Sequence, residues 1–67
     1  METEPDRLLR GADVSKLVAL SRNTIDRRVA AGTFPAPLDL GGGSVRWRQS
    51  DVLAWLSSLT YARQRAA

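Results

Sequence analysis

The chain has 67 residues, a formal net charge of +3, and neither cysteine nor histidine. Disulfides and the usual zinc sites are therefore excluded, and the length allows one domain, which at this size buries roughly 60% of its unfolded surface. The positive balance points to an anionic partner, nucleic acid before membrane, and 43% hydrophobic residues suit a packed core rather than a disordered chain.

Residues 1–6 are polar and acidic, with no basic n-region or apolar h-region, and read as a leader without a secretion signal. No apolar run approaches the roughly 20 residues of a membrane span, so a cytoplasmic location is expected. Arg7-Leu8-Leu9-Arg10 is a short apolar patch between charges, suited to an extended segment tucked against the core. Gly11 then opens a helix over about Ala12 to Ala19, with Asp13 favourably placed in its first turn. Val14, Leu17 and Val18 supply the i, i+3, i+4 stripe. Ala19-Leu20-Ser21 is a tight connection to a second helix, as a helix-turn-helix requires.

That second helix organises the rest of the chain. Ser21 can cap its start and Gly32 can close its end in the left-handed conformation. Ile25 and Val29 are four apart and share a face that docks on the core. Asn23, Asp26, Arg27 and Ala30 point the other way, with Thr24 and Arg28 on one flank. Asparagine can bond adenine bidentately and arginine the O6 and N7 of guanine, so Asn23 and Arg27 are candidate base-reading residues for a DNA major groove. Asp26 either accepts from a cytosine amino group or orients Arg27. Arg22, Thr24 and Arg28 sit where phosphates would flank the groove.

After Gly32, Thr33-Phe34-Pro35-Ala36-Pro37 cannot be helical, and Phe34 plugs the core as the chain reverses. Leu38-Asp39-Leu40 and Val45-Arg46-Trp47-Arg48 alternate as half-buried strands, joined at a tip by Gly41, Gly42, Gly43 and Ser44. The alternation turns Leu38, Leu40, Val45 and Trp47 inward and leaves Asp39, Arg46 and Arg48 outside. Arg46 and Arg48 are candidate phosphate contacts beside the tip. The tip glycines could approach the backbone closely, although a sharp turn alone accounts for them. Ser50 is placed to cap a last helix, with Asp51 in its first turn and Val52, Trp55, Leu56 and Leu59 on one face, running to about Tyr61. A basic tail, 62–67, carries Arg63 and Arg65. Trp47, Trp55 and Phe34 fall on inward faces, which favours core packing over stacking on single strands. The order helix, helix, two-stranded wing, helix describes a mainly α winged helix-turn-helix over 7–61, with a small β-hairpin.

Catalysis has no visible apparatus. The carboxylates Glu2, Glu4, Asp6, Asp13, Asp26, Asp39 and Asp51 are scattered singly, no serine has a histidine partner, and the triple glycine lacks the lysine of a phosphate-binding loop. A non-enzyme needing no cofactor or metal is expected.

The run Leu20-Ser21-Arg22-Asn23-Thr24-Ile25-Asp26-Arg27, the segment Ala31-Gly32-Thr33-Phe34-Pro35-Ala36-Pro37, and Val45-Arg46-Trp47-Arg48-Gln49-Ser50-Asp51-Val52-Leu53-Ala54-Trp55-Leu56 together resemble phage excisionases and the related AlpA-type regulators. The resemblance covers Arg7 to Leu59. It implies a MerR-like winged helix that binds duplex DNA at attachment-site repeats or an operator, with neighbouring copies side by side, bends it, and helps an integrase toward prophage excision. It also implies major-groove reading by Asn23 and Arg27, and a location on the bacterial host's nucleoid. Lambda-type excisionases carry a basic residue near the wing tip where this chain has Gly43, which shifts the expected wing contact to Arg46 and Arg48. Two other functions use the same residues: an AlpA-like transcription regulator, or a protein-interaction module whose basic face docks an acidic partner.

Overall fold

A computed structural model of the protein describes residues 6–62. The rest of the acidic leader, Met1 to Pro5, and the tail arginines Arg63 and Arg65 lie outside the described residues. The elements are β1 (Leu8–Leu9), α1 (Gly11–Val18), α2 (Arg22–Ala30), β2 (Leu38–Gly41), β3 (Ser44–Arg48) and α3 (Gln49–Ser58). The helices pack on a small antiparallel sheet of order β1-β3-β2, which is a winged helix-like fold. Arg7 to Arg10, expected only as an extended segment, supplies a third strand: Leu8 lies opposite Arg48 and Leu9 opposite Trp47.

The core draws on every element except β2. Leu9, Val14, Ile25, Phe34, Trp47 and Val52 are buried together, with Val18, Leu20, Val29, Val45 and Trp55 packed at the margin. Val14 and Val18, four apart, form the inner line of α1. Leu17 falls beside that line and is 43% exposed, against its expected place on the apolar stripe. The turn into α2 is tight enough to force Ala19 into the left-handed region (φ 58°, ψ 38°), where an L-residue costs roughly 1–2 kcal/mol. Ser15 Oγ donates to the Leu20 carbonyl across that turn.

Phe34 and Trp47 lie inside and Trp55 packs at the core margin, whereas Tyr61 is exposed; both indole N–H groups are tied down. Trp47 is 1% exposed, and its Nε1–H donates to the Pro35 carbonyl at 2.9 Å. Trp55 Nε1–H donates to the Thr33 carbonyl at 2.8 Å, and its ring meets Phe34 at 4.6 Å between centroids. A buried indole needs such an acceptor. The proline-rich loop, which has few backbone partners of its own, provides it.

The hairpin corrects one expectation. Gly42 and Gly43 form a two-residue turn at positive φ (61° and 83°), which sets Gly41 opposite Ser44. Simple alternation from there would align Leu40 with Val45 and Leu38 with Trp47, all facing inward. A bulge between Asp39 and Gly41 instead pairs Asp39 with Val45 and Leu38 with Arg46. One extra residue in a strand exchanges its faces. Leu38 therefore shares the outer face with Arg46, and Leu40 is 52% exposed. Asp39 fastens the bulge by accepting from Gly41 N–H at 2.8 Å.

The start of α3 also differs from expectation. Ser50 is inside the first turn, the N-cap position is Arg48, and no side chain there caps the helix. The open amides are met from the other end of the chain. Gln49 N–H donates to the Arg7 carbonyl at 2.8 Å, and the Asp6 carboxylate accepts from both the backbone and the hydroxyl of Ser50. Asp6, assigned to the leader by composition, thus joins Asp51 of the first turn as an anion at the helix N-terminus. At the other end α3 stops at Ser58 rather than near Tyr61: Leu59 is extended (φ −79°, ψ 150°) and 51% exposed.

The Ser50 side-chain and backbone donors, aided by the charge of Arg48, hold the Asp6 carboxyl below its ordinary value. A depressed folded-state pKa contributes stability that is present above the usual carboxylate value of about 3.9 and is lost as pH falls through the lower folded value. Asp6→Asn is therefore expected to flatten the acid limb of a stability–pH curve measured by urea denaturation. An unchanged limb would show that the Asp6–Ser50 contact does not form in solution.

Candidate nucleic-acid interface

Local bonds define α2 at both ends. Ser21 is its extended N-cap, and Ser21 Oγ accepts from Thr24 N–H at 3.2 Å while donating to Thr24 Oγ1 at 3.0 Å. At the C-terminus Thr33 N–H reaches the Arg28 carbonyl at 2.9 Å and Gly32 N–H the Val29 carbonyl at 3.0 Å. This pair of bonds is a Schellman motif, and it needs the left-handed residue that Gly32 supplies at φ 79°. Both ends are as the residue types require.

Between the caps, Ile25 is fully buried and Val29 packs at the core margin, which turns Asn23, Asp26, Arg27 and Ala30 outward, all exposed. With Ser21 and Thr24 they line a shallow open groove. Thr24, Arg27 and Arg28 border a second groove beside it, which continues to Thr33. The structure thus brings together Asn23, Thr24, Asp26, Arg27 and Arg28. Arg27 lies along the helix, its Nη2 3.4 Å from Thr24 Oγ1, a long contact that leaves the guanidinium available.

Arg22 and Asp26 behave otherwise than expected. Asp26 does not orient Arg27: its Oδ1 accepts from Arg22 Nε at 3.1 Å across one helical turn. The i, i+4 rule could have found this pair in the sequence. Arg22, expected at a flanking phosphate, folds back over the Trp47 ring at 5.4 Å from its centroid. Its guanidinium also lies against Gly11, a neighbour with no signature in periodicity or composition.

Arg46 and Arg48 are two apart on β3 and share one face, opposite Leu38 and Leu8 respectively. That is the face of the sheet turned away from Trp47 and the core. Arg48 is exposed, whereas Arg46 is half-buried, its Nη1 donating to the Val45 carbonyl at 2.7 Å. Gly41, Gly42 and Gly43 form the exposed tip, with open space around each.

The family model described as "Prophage CP4-57 regulatory protein (AlpA)" matches residues 7–60. An uncharacterized protein, ORF88, of Enterobacteria phage P4 is 40% identical over 60 residues, covering 90% of this chain and 68% of its own length. No solved structure matches. The matched span runs from just before β1 to just beyond α3, so the likeness extends over the folded unit and not over one helix alone.

Ser21→Ala removes the acceptor for Thr24 N–H and is expected to lower unfolding stability by about 1 kcal/mol. Urea denaturation followed by helical circular dichroism measures it. An unchanged midpoint would mean that the cap bond is replaced by water at no cost.

Proposed function

Because the chain belongs to the AlpA family of phage regulatory proteins, we propose that it binds duplex DNA sequence-specifically through the outer face of α2 and acts without catalysis. The observation that carries this reading is the exposed row Asn23, Asp26, Arg27 on a helix whose opposite side is anchored by Ile25. A helix held by one side against a scaffold can enter a major groove with its other side. Asn23 bonds an adenine and Arg27 a guanine, while Thr24 and Arg28 hold phosphates along the flank. Asp26, tied to Arg22, screens that arginine rather than reading a base. Arg46 and Arg48 supply further phosphate contacts from the outer face of the wing, and the small tip Gly41–Gly43 passes close to the backbone.

The finer role is that of a DNA-bending excisionase, a recombination directionality factor in a MerR-like arrangement. Bending a short site costs on the order of 1–6 kcal/mol, and phosphate neutralisation by neighbouring copies on adjacent repeats offsets it. The bent array then directs an integrase toward excision. Transcription regulation from a single operator uses the same face, and the description of the family as regulatory favours it as the second reading. Retardation of DNA flanking its own gene separates the two: a ladder of complexes on direct repeats, with a recombination phenotype, belongs to the excisionase. One complex over a promoter belongs to the regulator. Failure to retard any duplex at low salt would leave only a protein-interaction module.

Arg27→Ala is expected to cost roughly 1–3 kcal/mol in specific binding and to relax preference at one base pair. Equal weakening on all sequences would remove its reading role. Arg48→Ala is expected to weaken every site alike and to lower the slope of log affinity against log salt by about 1. An unchanged slope would take Arg48 out of the interface.

A further inference from the structure

Arg22 stands in the first turn of α2, immediately before Asn23, yet its guanidinium is held by three different elements. From α2 itself, Asp26 Oδ1 accepts from Nε at 3.1 Å. From β3, the Trp47 ring lies beneath it, 5.4 Å from Cζ to the ring centroid. From α1, Gly11 lies so close that a Cβ built there would be 2.0 Å from Nη1 and 2.8 Å from Cζ. Gly11 is buried and helical, and its φ is outside the left-handed region. The missing side chain, and not the backbone freedom, is what makes the seat.

We propose that Arg22 is a positioning residue that sets the angle of α2 against α1 and the wing, and not a contact to the DNA backbone. This rests on reading α2 as the DNA-binding helix. The chemistry of the seat requires arginine. A planar cation can place its Nε edge on a carboxylate and its face on an indole at once, which a lysine ammonium cannot. The ion pair alone is too exposed to matter much, with 51% and 56% of the two side chains accessible. The combination with Trp47 and Gly11 ties the start of the reading helix to the strand that carries Arg46 and Arg48. Moving that joint shifts Asn23 and Arg27 relative to base edges without removing any of the charges assigned to phosphates, Arg28, Arg46 and Arg48.

Gly11→Ala gives a direct test because it expels the guanidinium without removing the charge, and alanine is the better helix former. The measured quantities are affinity for the specific site, affinity for an unrelated duplex, and the salt slope of each. Gly11→Ala, Arg22→Ala and Arg22→Lys are all expected to reduce the specific-to-unrelated ratio by roughly tenfold, within the range that one correctly placed bidentate base contact supplies. The salt slope is expected to stay at the wild-type value in each. A slope lowered by about 1 in Arg22→Ala, with Gly11→Ala reading DNA normally, would overturn the proposal and return Arg22 to the backbone. If Gly11→Ala does not fold, Arg22→Lys carries the same comparison. The indole proton shifts of Trp47, measured without DNA, test the seat separately: they are expected to move in the three variants, and unchanged shifts would overturn it. Absence of duplex binding by the wild-type protein would instead remove the DNA reading and leave those shifts to decide whether the seat exists.

Discussion

The burial of Trp47 is the constraint on which the rest of the structure depends. Its ring is 1% exposed, its Nε1–H is satisfied by the Pro35 carbonyl, and its cross-strand neighbour is Leu9. One side chain therefore fixes the wing strand, the proline-rich loop and the N-terminal strand relative to one another, and its face receives Arg22 from α2. Truncating a buried aromatic costs roughly 3–5 kcal/mol, against a total stability of about 5–15 kcal/mol for a domain. Among the fully buried side chains of the described residues, Trp47 is the largest, ahead of Ile25, Val14 and Val52.

The scaffold leaves one side of α2 bare because it needs so little of the helix. Ile25 and the partly buried Val29 are enough to dock it, and the caps at Ser21 and Gly32 satisfy its ends locally. The side chains of Asn23, Arg27 and Arg28 are therefore not consumed by stability. Charge is divided in the same way. Asp26 occupies Arg22, and the Asp6 carboxylate answers the open amides of α3 near Arg48. Arg27 and Arg28 project from the helix without a carboxylate partner among the described residues. An arginine left without a carboxylate beside a groove is the kind that forks a guanine edge or a phosphate.

Much of this was legible in the residues. Periodicity placed both faces of α2, and its caps followed from Ser21 and Gly32, because those signals are local and have a mechanism. The inward positions of Trp47, Val52 and Phe34 followed from alternation and spacing. What escaped was set by pairing across the chain. The bulge after Asp39 moves Leu38 and Leu40 outward, and nothing in Leu-Asp-Leu-Gly distinguishes a bulged strand from a regular one. The third strand at Leu8–Leu9 depends on a partner far along the chain at Trp47 and Arg48. Ser50 looked like a cap because serine commonly is one, but its own amide is bonded by the carboxylate of Asp6, 44 positions away. The contacts of Arg22 escaped for a similar reason: Gly11 and Trp47 are its neighbours in space only, and its i+4 partner Asp26 was weighed as a cytosine acceptor or as an orienter of Arg27.

Dimethyl sulfate methylation interference on a retarded duplex tests the central claim most directly, because N7 of guanine lies in the major groove where α2 would read it. The expected result is that methylation of a single guanine per bound copy blocks complex formation with the wild-type protein and loses its effect with Arg27→Ala. Complexes that form regardless of N7 methylation, with interference only at adenine N3 in the minor groove, would contradict a major-groove role for α2.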